Sequence, residues 1–354
     1  MHAKPFTIAA ALVFLASCDA PTEMSDMRTT VEERLTTYAS EAPAAGGAEE
    51  IALNQGLAPA LRAAVSSNEG YLGALALEAE AMAQVGVVAS VRRPQLTGDA
   101  NIGGIRETGT NADTTTGIAD GANLSQLVYD GGASASAMNR STALTLSARA
   151  GRVAQGNEIA LNAARAWVDL WQYSERLRLM QARTSEMDML VEQIERMASN
   201  GMLDKASLEN VQRQIVDIKL EEARLVAGQS EAQVLFQRFF KVKPSQVPQP
   251  AELVSAGQAR YLAENWQTAP GLQRLAAQFL AAQAAVGEAK SSFKPNVRLQ
   301  AGAASPLDTT KSTSMTVGFS LQYSFSDGGR RTKQLEAAEA RVLATDAQLS
   351  DAQR

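Results

Sequence analysis

A short motif occurs twice in this chain, about 200 residues apart: Tyr129-Asp130-Gly131-Gly132 and Ser326-Asp327-Gly328-Gly329. Each copy stands between an alternating segment and a helical one. Upstream, the stretch from Gly70 to Pro94 aligns without a gap on Gly271 to Pro295. Identities fall at Gly70/Gly271, Ala76/Ala277, Ala81/Ala282, Ala83/Ala284, Val85/Val286, Gly86/Gly287, Ser90/Ser291 and Pro94/Pro295. The chain therefore holds two copies of one unit, running helix, proline, hairpin, Asp-Gly-Gly, helix. Proline removes an N–H and biases the residue before it towards extended backbone, which ends a helix as a strand begins. Asp130 and Asp327 suit N-terminal capping, and the paired glycines permit a sharp reversal from strand to helix.

The hairpins constrain the environment. After Pro295, Val297, Leu299, Ala301 and Ala303 alternate with Asn296, Arg298, Gln300 and Gly302. On the return, Met315, Val317, Phe319, Leu321, Tyr323 and Phe325 oppose Ser314, Thr316, Gly318, Ser320, Gln322, Ser324 and Ser326. The first copy repeats this more weakly, with Leu96, Gly98, Ala100 and Ile102 on one face, then Ala122, Leu124 and Val128. Period two over roughly ten residues suits a tilted strand crossing a bilayer, apolar to lipid and polar to a lumen. A soluble antiparallel sheet with one wet face alternates in the same way, but this sequence offers no soluble core for such a sheet. Four strands cannot close a barrel and lipid does not tolerate an open edge, so hairpins in a membrane require several chains to share one barrel. Tyr129, Tyr323 and Phe325 fall where a boundary girdle of aromatic residues is expected.

Most of the remainder reads as long helix. No proline occurs between Ala133 and Ser199, and a heptad seam runs through Ile159, Ala163, Ala166, Leu170, Tyr173, Leu177, Met180, Thr184, Met187, Val191, Ile194 and Ala198. A break at Asn200-Gly201 precedes a second seam through Leu208, Val211, Ile215, Ile218, Leu225, Ala232, Phe236 and Phe239, interrupted by Glu222 and Gln229. The two should fold back as an antiparallel hairpin.

Composition excludes several classes. The single histidine, His2, lies in the N-terminal segment and Cys18 is the single cysteine, so Cys/His catalysis and the usual zinc sites have no candidates; no catalytic residue, metal or cofactor is expected. Walker and dinucleotide glycine motifs are absent. A net charge of −5 argues against a nucleic-acid surface. Past the first 17 residues no run of 18 consecutive apolar residues occurs, so no transmembrane helix is expected.

Lys4, the uncharged run Pro5 to Ser17 and Leu15-Ala16-Ser17-Cys18 resemble a bacterial lipoprotein signal, which implies cleavage before Cys18 and a lipid on that residue. Asp19 departs from the usual outer-membrane sorting pattern. The whole arrangement resembles the TolC-like outer-membrane efflux factor family, in its lipoprotein branch. The resemblance is carried by the Pro94 and Pro295 junctions, Leu124-Ser125-Gln126-Leu127-Val128-Tyr129-Asp130-Gly131-Gly132, Phe325-Ser326-Asp327-Gly328-Gly329, Gly201-Met202-Leu203-Asp204, and Asn157-Glu158-Ile159 leading into Ala166-Trp167-Val168-Asp169-Leu170. It implies a mainly α fold with transmembrane β: long antiparallel coiled-coil hairpins, and β-hairpins giving four strands to a 12-strand barrel shared by a homotrimer. It further implies a passive outer-membrane conduit for small molecules or polypeptides, in tripartite efflux or type I secretion. The partners would be a periplasmic adaptor and an inner-membrane transporter, the adaptor meeting a hairpin tip at Met197, Ser199, Asn200, Gly201 and Leu203.

The expected organisation is a signal peptide at 1–17, a flexible tether at 18–48 and a first repeat at 49–240, with its β-hairpin at 94–130 and helical hairpin at 133–240. A proline-bearing linker at 241–265 leads to a second repeat at 266–354 with its β-hairpin at 295–326. Only 25 residues follow Gly329, against about 110 in the first helical hairpin. A C-terminally truncated second hairpin is expected, so the family's gate residues have no counterparts here. A periplasmic adaptor or a non-transporting envelope lipoprotein are the alternatives; the duplicated Asp-Gly-Gly unit argues against the adaptor.

Overall fold

The computed structural model of the chain describes residues 53–106, 114–202, 204–243, 247–250, 264–306 and 312–354, with Thr29, Val31, Glu33, Gln258, Arg260 and Tyr261. The expected signal peptide, Cys18 and, apart from Thr29, Val31 and Glu33, the expected tether lie outside the described residues. The chain divides into two units, Met1–Glu50 and Ile51–Arg354. The second carries helices α1 (Leu57–Ser66), α2 (Glu69–Ser90), α3 (Ala133–Ser199), α4 (Lys205–Phe240), α5 (Pro270–Ser291) and α6 (Arg330–Ala352), and strands β1 (Gln95–Arg106), β2 (Thr114–Tyr129), β3 (Asn296–Ser305) and β4 (Ser314–Gln322).

The two hairpins join into one antiparallel sheet in the order β1-β2-β3-β4. In register, Leu96 lies opposite Leu124, Leu124 opposite Ala301, and Ala301 opposite Val317. One apolar row thus crosses all four strands. The helices keep the same order: α2 packs on α3, α3 on α5, and α5 on α6. Since α2 feeds β1, β2 feeds α3, α5 feeds β3 and β4 leads to α6, each strand continues into the helix at its own place in the layer. Arg140 and Glu288 tie α3 to α5 at 3.1 Å, while the Thr145 hydroxyl donates to the Ala81 carbonyl of α2 at 3.1 Å.

Helix α3 has 67 residues, roughly 100 Å at 1.5 Å per residue. Its first half lies between α2 and α5, and its second half pairs with α4. The heptad reading describes that second half well: Ile159, Ala163, Ala166, Leu170 and Leu177 are buried, and the seam from Met180 to Ala198 is half-buried. Alongside α1 the seam widens into the main core, where Trp167 stands among Leu57, Ala60, Leu61, Ala64, Leu170, Ala232, Phe236 and Phe240. Phe236 and Phe240 stack at 4.4 Å and Trp167 meets both rings at 5.6 and 5.4 Å. The Trp167 indole N–H donates to the Pro248 carbonyl at 3.0 Å, fastening the segment after α4 to the core. Phe240, not Phe239, is the buried end of the second seam. Lower down, Gly228 leaves the space into which the Tyr173 ring fits: a Cβ there would lie 2.5 Å from a ring carbon.

Helix α2 differs from expectation. At 22 residues, with a window of 18 whose mean hydropathy is 1.4, it is long and apolar enough to cross a membrane, by length and composition only. The search for an unbroken apolar run missed it because Glu78 and Glu80 interrupt an alanine-rich segment. Its Glu78 pairs with Arg152 of α3, whose guanidinium also donates to the Tyr71 hydroxyl at 2.6 Å. Leu72, Leu75, Leu77, Met82 and Val87, spread around the rest of the helix, are exposed.

Trp167→Ala should cost about 3–5 kcal/mol, the usual range for emptying a large aromatic site, whereas Val168→Ala, a more exposed neighbour, should cost under about 1 kcal/mol. Denaturant unfolding of the detergent-purified variants measures both, and equal midpoints would disprove the central role of Trp167.

Candidate functional site

The candidate site is the sheet with the two turns that carry it into helix. On one face Leu96, Ile102, Ile118, Leu124, Met315, Val317, Phe319 and Leu321 are exposed, with Phe319 at 72% and Met315 at 83%. A contiguous apolar surface of this kind marks contact with lipid or protein. The other face carries Gln95, Thr97, Asn123, Ser125, Arg298, Gln300, Thr316, Ser320 and Gln322, placed together by the register.

Asp120, opposite Ala100 and Ser305, falls on the apolar face, and the pairing register itself shifts at one point. Leu127 pairs with Arg298 and Tyr129 with Val297, so Val128 is an extra, bulged residue. The bulge brings Tyr129 into the row of Val297 and Leu321 and leaves Leu127 on the polar face. Gln126, opposite Leu299, lies on the apolar face. The regular part of β4 ends at Gln322; Tyr323 and Phe325 follow it and meet edge-to-face at 4.9 Å.

Pro94 and Pro295 immediately precede β1 and β3. The Asp-Gly-Gly turns then repeat each other atom for atom. Asp130 accepts from the Gly132 N–H at 3.0 Å and the Ser134 N–H at 2.7 Å. Asp327 accepts from the Gly329 N–H at 3.2 Å and the Arg331 N–H at 3.1 Å. Gly131, Gly132, Gly328 and Gly329 all have positive φ, between 66° and 97°, where a side chain is strained. Each carboxylate so satisfies N–H groups that a helix start leaves unpaired. Burial pushes both aspartates up, but hydrogen bonds from Ser134 and Gly132, with the charge of Arg92, outweigh it and hold Asp130 below its ordinary value. The backbone and side chain of Arg331, with the Gly329 N–H, do the same for Asp327.

Three residues complete these turns that motif reading passed over. Lys294 lays its chain across Gly131, where a Cβ would come within 2.6 Å of it, and donates to the Gly131 carbonyl at 3.0 Å, joining the two repeats. Arg331 is buried; it pairs with Asp327 at 2.8 Å, donates to the Ser292 and Ser324 carbonyls, and lies over the Phe293 ring at 5.2 Å. In the first repeat the charge sits on the opposite partner, Arg92, which donates to the Ser134 hydroxyl at 2.8 Å. Arg331 stands two residues after the duplicated motif and Lys294 directly precedes a duplicated proline, so their positions were the available signal.

The hairpin turn of 199–204 lies at the far end of α3. The Gly201 N–H donates to Ala198 and the Met202 N–H to Met197 at 2.9 Å, a closed C-cap with Gly201 at φ 73°. Asp204 accepts from the Ser207 N–H at 3.1 Å and starts α4. Met197, Ser199, Asn200 and Gly201 are exposed there, as is Met202; Leu203 lies outside the described residues. Among the described residues no group of three or more His, Cys, Asp and Glu side chains comes together to hold a metal ion.

Residues 262–354 match the family of outer membrane efflux proteins. No curated relative matches the sequence. Solved structures share the fold at low identity. One of CusC, described with respect to folding and transmembrane channel formation, is 17% identical with a TM-score of 0.73, covering 84% of this chain and 72% of that one. The outer membrane protein VceC of Vibrio cholerae is 18% identical with a TM-score of 0.73, over 85% and 75%. The CmeC outer membrane channel of Campylobacter jejuni is 14% identical with a TM-score of 0.72, over 85% and 67%.

Lowered folded-state values make both aspartates stabilising above the ordinary carboxylate pKa of about 3.9, and that contribution is lost as pH falls through the folded values. Thermal melts of the purified protein should therefore show a fall in stability below about pH 4 that shrinks in the Asp130→Asn/Asp327→Asn double variant. At pH 7, Asp130→Ala alone should cost about 1–2 kcal/mol. Identical acid profiles for wild type and double variant would disprove the capping role.

Proposed function

From the match of residues 262–354 to the outer membrane efflux proteins and the fold shared with CusC and VceC, we propose that the chain is the outer-membrane conduit of a tripartite efflux or type I secretion system. Three copies would share one barrel. The observation that carries this reading is that sheet and helix layer end together: β1 and β4 have one strand neighbour each, and α2, at the β1 edge, exposes an apolar flank. A repeating subunit satisfies both edges at once, β4 of one copy pairing with β1 of the next, which closes twelve strands and covers α2. The apolar sheet face then lies in lipid, the polar face lines the passage, and α3 with α4 extends it into the periplasm. Solutes pass down their own path; the energy belongs to an inner-membrane transporter, reached through an adaptor.

The domain boundaries given by the sequence belong to the same reading, with the two repeats as the two halves of each subunit. Cys18 serves as a lipid attachment site and auxiliary tether, so Cys18→Ser should abolish incorporation of a fatty-acid probe; persistent labelling would remove the anchor from this account. Pro94, Asp130, Gly131, Gly132, Pro295, Asp327, Gly328 and Gly329 hold the barrel on the helical tunnel. Met197, Ser199, Asn200, Gly201 and Leu203 form the contact with the adaptor, at the end of α3 remote from the sheet.

Photocrosslinking groups at Ser199 and Asn200 should capture the adaptor in cells, while groups at Phe319 should not. Capture from the sheet and none from the tip would reverse the orientation and refute this arrangement.

A further inference from the structure

The polar face of the sheet is almost neutral. Among its described residues only Arg298 and Asp99 carry charge. Arg298 lies three residues beyond Pro295, at the end of the sheet nearest the helices, half-buried, with Leu127 and Ser320 as its cross-strand neighbours. The diagonal positions on that face, Ser125, Gly318 and Gln322, and Gln300 next along β3 hold no acid. Asp99 shares its row with Gly121, Ala304 and Ser314, six residues along β3, which is about 20 Å at strand rise. Asp99 is therefore too far away to neutralise Arg298. The nearer carboxylate, Asp130, is occupied by the N–H groups of Gly132 and Ser134. General composition does not account for this cation either, because acids outnumber bases 38 to 33 in the chain.

On the reading that three copies close a barrel, we propose that Arg298 is a charge-selecting residue: three copies form a positive ring at the inner mouth that favours solutes bearing a negative group. Twelve strands about 4.8 Å apart and tilted near 40° enclose a ring of radius about 12 Å. An arginine reaching inward from that wall brings its charge to within about one Debye length of the axis, about 10 Å at 0.1 M salt. Every solute leaving the helical passage then crosses the field of the ring, and screening weakens it as salt rises. The Asp99 ring, further along, gives the lumen two opposed levels of charge.

Thiol reactivity tests this in reconstituted vesicles. In a Cys18→Ser background, Ser320→Cys places a thiol beside Arg298 on the polar face, and Phe319→Cys places one on the apolar face. Anionic and cationic methanethiosulfonate reagents are compared at 0.05 M and 1 M salt. The expected result is rapid modification of Ser320→Cys with a preference for the anionic reagent. That preference should fall about threefold or more on adding Arg298→Gln and fade at high salt, while Phe319→Cys stays protected. An anionic-to-cationic rate ratio at Ser320→Cys that Arg298→Gln leaves unchanged overturns the charge ring and leaves the barrel standing. Equal reactivity of Phe319→Cys and Ser320→Cys overturns the barrel reading itself, and the ring with it.

Discussion

Backbone hydrogen bonding at the two edges of the sheet is the constraint on which the rest depends. Among the described residues, strands β1 and β4 each leave a row of N–H and C=O groups without a strand partner. In water such a row is an aggregation hazard; in hydrocarbon each unsatisfied group costs several kcal/mol. The apolar side chains of the same strands, Phe319 and Met315 among them, suit hydrocarbon and not water. Side chains and backbone thus make opposite demands of a single copy, and closure with further copies meets both.

The helical layer inherits its geometry from that sheet. The order α2, α3, α5, α6 repeats the order β1 to β4, and only four short junctions transmit it. At two of them proline ends a helix. At the other two an aspartate caps the next helix while glycines take the left-handed turn. Lys294 across Gly131 fixes one repeat's turn to the other's, so the spacing of α3 and α5 is set where the strands end. The two repeats solve the same electrostatic problem with the arginine on opposite partners, Arg92 beside Ser134 in one and Arg331 over Phe293 in the other. A duplicated backbone therefore tolerates divergent side chains as long as one guanidinium remains near the aspartate.

Periodicity made much of this legible. Alternation in β3 and β4 identified the apolar face, the heptad seam predicted the pairing of α3 with α4, and the Asn200-Gly201 break predicted a helix ending at Ser199. What escaped has local physical causes. A bulge inserts one residue without altering composition, so the alternation in β2 was read through Val128 as if unbroken. The core around Trp167 draws on α1 and on Pro248, partners remote in sequence, and a seam traced along one helix shows neither. Phe239 and Phe240 are adjacent aromatics, and packing against Trp167 chose the second. The apolar character of α2 was hidden by two glutamates, one of them paired with Arg152. Lys294 and Arg331 act through carbonyl groups, which leave no mark in a sequence motif.

The most direct test of a shared barrel is the mass of the protein extracted from outer membranes in mild detergent, with bound detergent subtracted. The account requires a particle containing three copies of the chain from Cys18 onward, stable to dilution because each copy's edge strands are paired with its neighbours. A stable particle of one chain, with β1 and β4 protected from amide exchange, would contradict it.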